Sequence, residues 1–241
     1  PLLADELTEQ GNWLEAEQAF DQFLTLLDRK ERAYYTDLSL IATPNVLKAY
    51  ERTQGSERER LLRKFWVLQD PTPTTAVNER RVEHLRRVYQ ARLHFAEGIQ
   101  ARHGRGWDRR GDVYIRFGEP DHRSWSDNLV FETDPKVVKI KNRLNNLAYN
   151  ALEDLQSSKH VHGSPNQTFG LGVAPETAEI KGRPTFPIPQ RTSVMNDGSE
   201  LNYKWESWIY ADIGEGFEIT FLDQEGDGVY DFAPVPSDSR H

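Results

Sequence analysis

Cysteine is absent from this chain of 241 residues, which excludes thiol nucleophiles and Cys-ligated metal centres and leaves no sign of the redox compartment. No apolar run approaches the length of a membrane span, and no signal-peptide pattern opens the sequence. Phosphate-loop and dinucleotide-binding fingerprints are missing too. Methionine does not start the chain. It begins at Pro1, in what reads as the end of a helix, so a piece of a longer protein is expected. What is present suits a folded core. The apolar fraction is 37% and the charged fraction 28%, with six Trp and eleven Phe, a polar but globular composition. This length fits one large domain or two modest ones. A chain of this size buries roughly 70% of its unfolded surface and needs no disulfide or metal to stay folded.

The net charge of −8 conceals a segregation by position. Residues 52–123 carry sixteen Lys and Arg against ten Asp and Glu, whereas residues 1–51 carry four against ten and residues 124–241 ten against eighteen. The favoured reading is a basic middle packed against acidic flanks of the same molecule. The other is a basic face for nucleic acid or another anion. Overall acidity opposes duplex affinity, so a nucleic-acid partner is not expected.

Helical spacing dominates the first half. Trp13, Ala16, Phe20, Phe23, Leu24 and Leu27 predict an amphipathic helix over 13–27. Gly11-Asn12-Trp13-Leu14-Glu15-Ala16 followed by Phe20 resembles the second half of a tetratricopeptide repeat, without a second copy at the required period. A plain helical hairpin fits equally. Thr43-Pro44 predicts the next helix start, Gly55 its end, and Ser56-x-x-Glu59 a capping box for a helix running to about Leu68. Asp70-Pro71-Thr72-Pro73-Thr74 predicts a rigid break. A helix from about Val77 to Glu97 follows, and another over 136–156. Residues 157–200 are rich in Gly, Pro, Ser and Thr, a stretch too long for an ordinary loop. The sequence ends in strands at 203–210, 217–221 and 229–232.

One short stretch, Gly106 to Asp121, reads as turn, strand, turn. Val113, Ile115 and Phe117 alternate with Asp112, Tyr114 and Arg116, which predicts a strand over 112–117. Gly111 and Gly118 bracket it, and Pro120 stops it. With the C-terminal strands this gives an α+β fold: N-terminal helices, then a small antiparallel sheet of about four strands flanked by helices.

Candidate chemistry is sparse. Asp108, Asp112, Glu119 and Asp121 could run acid–base reactions or hold a metal. Beside Arg109, Arg110 and Arg116, they fit turn capping and ion pairing better. Asp223-x-Glu225-x-Asp227-Gly228 with Asp231 has the alternating oxygen ligands of a calcium loop, but Pro234 stands where the twelfth-position carboxylate belongs. A D-G hairpin turn is preferred there. His160-x-His162 could place two imidazoles together, with no third ligand evident, and reads as solvent-facing. Ser164 and Ser193 have no evident base. The pairs Arg80-Arg81 and Arg86-Arg87 on one helix could bind phosphate, or pair with Glu79 and Glu83. No cofactor is implied.

An ordered string of motifs runs through these elements. Phe65-Trp66 precedes Asp70-Pro71-Thr72-Pro73, Asn78-Glu79 and Arg87-Val88-Tyr89-x-Ala91. Gly106-Trp107 then leads to Gly111-x-Val113-Tyr114-Ile115-x-x-Gly118-x-Pro120-Asp121. The string resembles the bacterial GWxTD domain, well over 40–121 and loosely over 203–232. Arg109-Arg110 stand where the family usually has Thr and Asp, so no role of those two residues carries over. The resemblance implies a bacterial, usually exported protein, periplasmic or at the cell surface, often with tetratricopeptide-like helices beside the domain. It implies no activity and supplies no catalytic residue.

The expected organisation is a tetratricopeptide-like segment over 1–40 and a GWxTD-like domain over 41–241 with an irregular insertion at about 157–200. The expected function is non-catalytic: an interaction or assembly module of a larger exported bacterial protein. Its protein partner would be contacted by 157–200 or by the N-terminal helices. Two alternatives stand beside it. One is a metal-dependent or acid/base hydrolase built on the 106–121 carboxylates with His162, and the other is anion or nucleic-acid binding by the Arg-rich middle.

Overall fold

The computed structural model describes residues 1–96, 106–126, 134–144, 146 and 203–233. It divides the chain between Glu119 and Pro120 into two compact units. The fold is α+β, as the sequence predicts.

The first unit is helical: α1 (Leu2–Glu9), α2 (Trp13–Leu26), α3 (Arg29–Thr36), α4 (Pro44–Arg52), α5 (Gly55–Leu68), α6 (Glu79–His94) and α7 (Arg109–Phe117). Helix α6 is central, and α1, α2, α3 and α7 all pack on it. Residues 1–40 therefore share one compact unit with 41–119. The inward stripe of α6 is Val82, Leu85, Val88 and Ala91, with His84 among them. Ala4, Ala16 and Phe20 complete the layer. Helices α1 and α2 pack on each other, and Ala4, Ala16 and Phe20 on them are fully buried. The Asn78 side chain caps α6 by accepting from the Arg81 N–H at 2.9 Å.

The predicted capping box is not used. Helix α5 begins at Gly55, where φ is +54°, and Gln54 precedes it without a side-chain cap. Gly55 thus opens α5 instead of closing α4, which already ends at Arg52. Ser56 falls one residue inside the helix, too late to receive its first free N–H groups.

The second correction concerns 112–117, which is not a strand but the body of α7. Asp108 has extended backbone and accepts from the Arg110 N–H at 2.9 Å, so it is the N-cap. Asp112 in the first turn and Arg116 in the last complement the helix dipole. Gly118, at φ +87°, ends it. The alternation misled because α7 is buried almost all round: Gly111, Asp112, Val113, Tyr114 and Ile115 are consecutive and all buried. Over six residues, burial on every side carries no helical period.

The second unit is a four-stranded antiparallel sheet in the order β1 (His122–Trp125), β2 (Lys204–Tyr210), β3 (Phe217–Asp223), β4 (Asp231–Phe232). The place expected for 112–117 is taken by β1, whose His122 pairs with Ile209 and Ser124 with Ser207. Residues 135–144 are helical, here α8. Its Val137 and Ile140 bury against Ile209. On the opposite face Trp208 packs edge-on against Phe221, with centroids 5.0 Å apart. Phe221 in turn stacks on Phe232. The rest of the predicted 136–156 helix and the whole of 157–200, with His160, His162, Ser164 and Ser193, lie outside the described residues.

Candidate functional site

The motif residues fall in three places. The first is the turn between α5 and α6. Phe65 is buried and meets Trp66 edge-on at 5.0 Å. The Trp66 carbonyl, at the end of α5, accepts from Asn78 Nδ2 at 2.6 Å, so the same amide that caps α6 also ties it to α5. Asp70 accepts from the Thr72 N–H at 2.9 Å, and exposed Pro71 and Pro73 stiffen the bend. Glu79 accepts from the Thr72 hydroxyl at 2.5 Å and the Thr75 hydroxyl at 3.2 Å. The Thr72 bond holds the Glu79 carboxyl below the usual range. Asp70, Thr72, Thr75, Asn78 and Glu79 are thus all engaged by neighbouring groups.

The second place is the start of α7. Trp107 is buried, lies edge-on to Tyr34 at 5.6 Å, and donates from its indole to Asp112 at 3.0 Å. Asp112 also accepts from Arg109 at 2.9 Å. Asp108, whose side chain is fully buried, caps the helix and accepts from Arg110 Nη2 at 2.7 Å. The Arg110 guanidinium in turn sits 5.2 Å from the centre of the Phe95 ring. Gly111 is required by contact, since a Cβ there would lie 2.4 Å from Trp107 Cδ1. At Gly106 a Cβ would meet Arg92, and at Gly118 it would meet the Arg87 guanidinium. Tyr114 is buried, its ring 5.9 Å from that of Phe95. Sequence reading took Arg109 and Arg110 as departures from the motif. Here they are the partners of Asp112 and Asp108.

The third place is in the second unit. Pro120 is buried, and Asp121 accepts from the Ala211 N–H at 2.6 Å while its own N–H donates to the Ile209 carbonyl at 2.9 Å. It staples the start of β1 to the end of β2. Of the four carboxylates that sequence placed side by side, three have a local structural task. Asp108 and Asp112 cap and pair at α7, and Asp121 belongs to the sheet.

The loop after β3 is a turn built around a carboxylate. Asp223, 2% exposed, accepts from the N–H groups of Gly226 at 2.7 Å, Asp227 at 3.1 Å and Gly228 at 3.0 Å. Its oxygens face the backbone, where a calcium ligand would have to face outward. Among the described residues no group of three His, Asp or Glu side chains is placed to hold a metal ion. No described helix is long and apolar enough to cross a membrane.

Arginine–carboxylate pairing accounts for much of the basic middle. Arg81 closes on Glu17 at 3.1 Å and on Asp21, and Arg86 on Asp5 and Glu9, both at 2.7 Å. Arg92 closes on Glu31 at 2.5 Å. These join the basic middle to the acidic N-terminal helices inside one unit. Arg87 pairs with Glu83 at 2.6 Å. Among the described residues Arg80 makes no hydrogen bond or ion pair, and beside it stands a residue that the sequence does not single out. His84 is 4% exposed, with its ring 5.2 Å from that of Trp66 and neither nitrogen hydrogen-bonded. Burial, then the Arg80 charge, pushes its pKa down to about 3. A histidine in the apolar stripe of α6 was the available signal. Set against family models, curated proteins and solved structures, the chain matches none.

Proposed function

We propose that this chain is a GWxTD-type, non-catalytic interaction or assembly module of a larger exported bacterial protein, with 157–200 as the contact segment for a protein partner. The observation that carries the reading is how the motif's polar groups are used. Asp70, Asn78, Glu79, Asp108, Asp112 and Asp121 each cap a backbone, close a turn or hold an arginine or indole. Reactive carboxylates need access to a substrate and a pKa matched to proton transfer. Here the motif reads as a scaffold that positions loops, the usual carriers of binding.

The test is affinity purification of the full-length parent from its native cells, with fractionation to locate it. A stoichiometric protein partner that is lost when 157–200 is deleted supports the reading. Purification without a partner, with and without the segment, overturns it. Recovery in the cytosolic fraction overturns the export assignment.

A further inference from the structure

We infer that Arg80, His84 and Arg87 form a binding site for a small oxyanion, a phosphate or carboxylate group, on one face of α6. The three residues are spaced i, i+4 and i+7, which stacks their side chains in a single stripe. With Ile41 and Ile115 they line a narrow crevice within the first unit.

Three observations single out this stripe. Arg80 is partly buried, and burial followed by the charge of Arg87 pulls its pKa down. Among the described residues it closes no ion pair of the kind Arg81, Arg86, Arg87 and Arg92 each have, the Glu83 charge only partly offsetting its burial. His84 is buried with two unsatisfied nitrogens, although buried polar groups nearly always find a partner. The Tyr35 backbone favours the protonated ring without completing a hydrogen bond. Finally, no carboxylate lines the crevice. Glu83 is turned toward Arg86 and Arg87.

An oxyanion supplies what this set lacks. Arg80 offers a planar fork for two oxygens. The neutral His84 ring offers one N–H, and Arg87 adds a second positive charge. Ile41 and Ile115 give the low-polarity walls that strengthen each contact. The crevice is too narrow for a water molecule as it stands. Binding therefore requires Ile41, half-exposed on a turn, to give way, which the Ile41→Ala variant tests.

The experiment follows the ring resonances of His84 by NMR as inorganic phosphate, acetate or chloride is added at constant ionic strength. A saturable shift with phosphate, acetate or both supports the site. Phosphate alone indicates a phosphoryl ligand, acetate alone a carboxylate. Arg80→Ala should weaken the response at least about tenfold, the effect of removing one charge-assisted fork. Arg60→Ala, an exposed residue of α5, should leave it unchanged, and Ile41→Ala should tighten it. Unmoved His84 resonances, an equal response to chloride, or equal losses in the two arginine variants would overturn the inference.

Discussion

Gly111 sits inside α7, where alanine would ordinarily be the better helix former by about 1 kcal/mol. Trp107 reverses the sign. Its indole lies where the new methyl would go and is itself fixed by Tyr34 and Asp112. Overpacking at such a site costs about 1–3 kcal/mol. Gly111→Ala should therefore lower the urea midpoint with an unchanged slope. A midpoint equal to or above that of the parent would mean the indole is free to move. His84 carries a second residue-level prediction. Its folded pKa of about 3 lies below the unfolded value of 6.5, so below pH 6.5 the unfolded chain binds a proton that the folded chain refuses. Burial sets most of the shift, followed by the Arg80 charge, with Arg87 and Arg81 adding to it and the Tyr35 backbone opposing it. His84 should thus reduce stability as pH falls from 6.5 toward 3, at up to ~1.4 kcal/mol per pH unit. His84→Phe should flatten that slope in urea titrations across the range. An unchanged slope would assign it to other groups.

At the level of elements, Asp108 is the decisive cap. It serves the α7 backbone and Arg110 together from a buried position. Asp108→Ala removes a cap and strands a guanidinium, so a loss of about 3 kcal/mol is expected by denaturant unfolding. Asp223 plays the same part for the turn after β3. Asp223→Ala should lower the melting temperature, while added calcium should leave the parent's unchanged. A rise with calcium would revive the ion-loop reading. How legible each element was follows from its burial. Helix α2 was readable because it has one wet face, and α6 because its buried residues Val82, Leu85, Val88 and Ala91 fall in one stripe beside charged ones, which preserves the 3.6-residue period. Helix α7 was not, because its middle is enclosed and its period erased. Strand β1 escaped notice because His-Arg-Ser-Trp is short and polar, and becomes a strand only through its pairing with β2. The motif residues were legible as a set, but their division among three places was not. Which carboxylate meets which arginine depends on the fold around them. Arg80 and Arg87 were legible as possible phosphate ligands but His84 was not, and spacing alone does not tell an ion-paired arginine such as Arg87 from Arg80.

For the whole molecule, the order of elements along the chain sets how the two units come into being. The first unit is complete at Glu119. The sheet is not, because β1 at residues 122–125 must wait for β2 at 204–210. During synthesis the helical unit can therefore fold while the sheet has only its edge strand. Closing so long a connection slows folding more than it weakens the product. Each halving of such a connection stabilises by only about 0.6 kcal/mol. Removing 157–200 should accordingly leave β1 and β2 paired and speed the slow phase of refolding, as seen in the intrinsic fluorescence of Trp205 and Trp208. If refolding slowed or the sheet failed to form, 157–200 would instead be part of the folding nucleus. The pairing of β1 with β2 thus depends little on how much chain lies between α8 and β2, so that stretch can lengthen or shorten while the strands on either side stay joined.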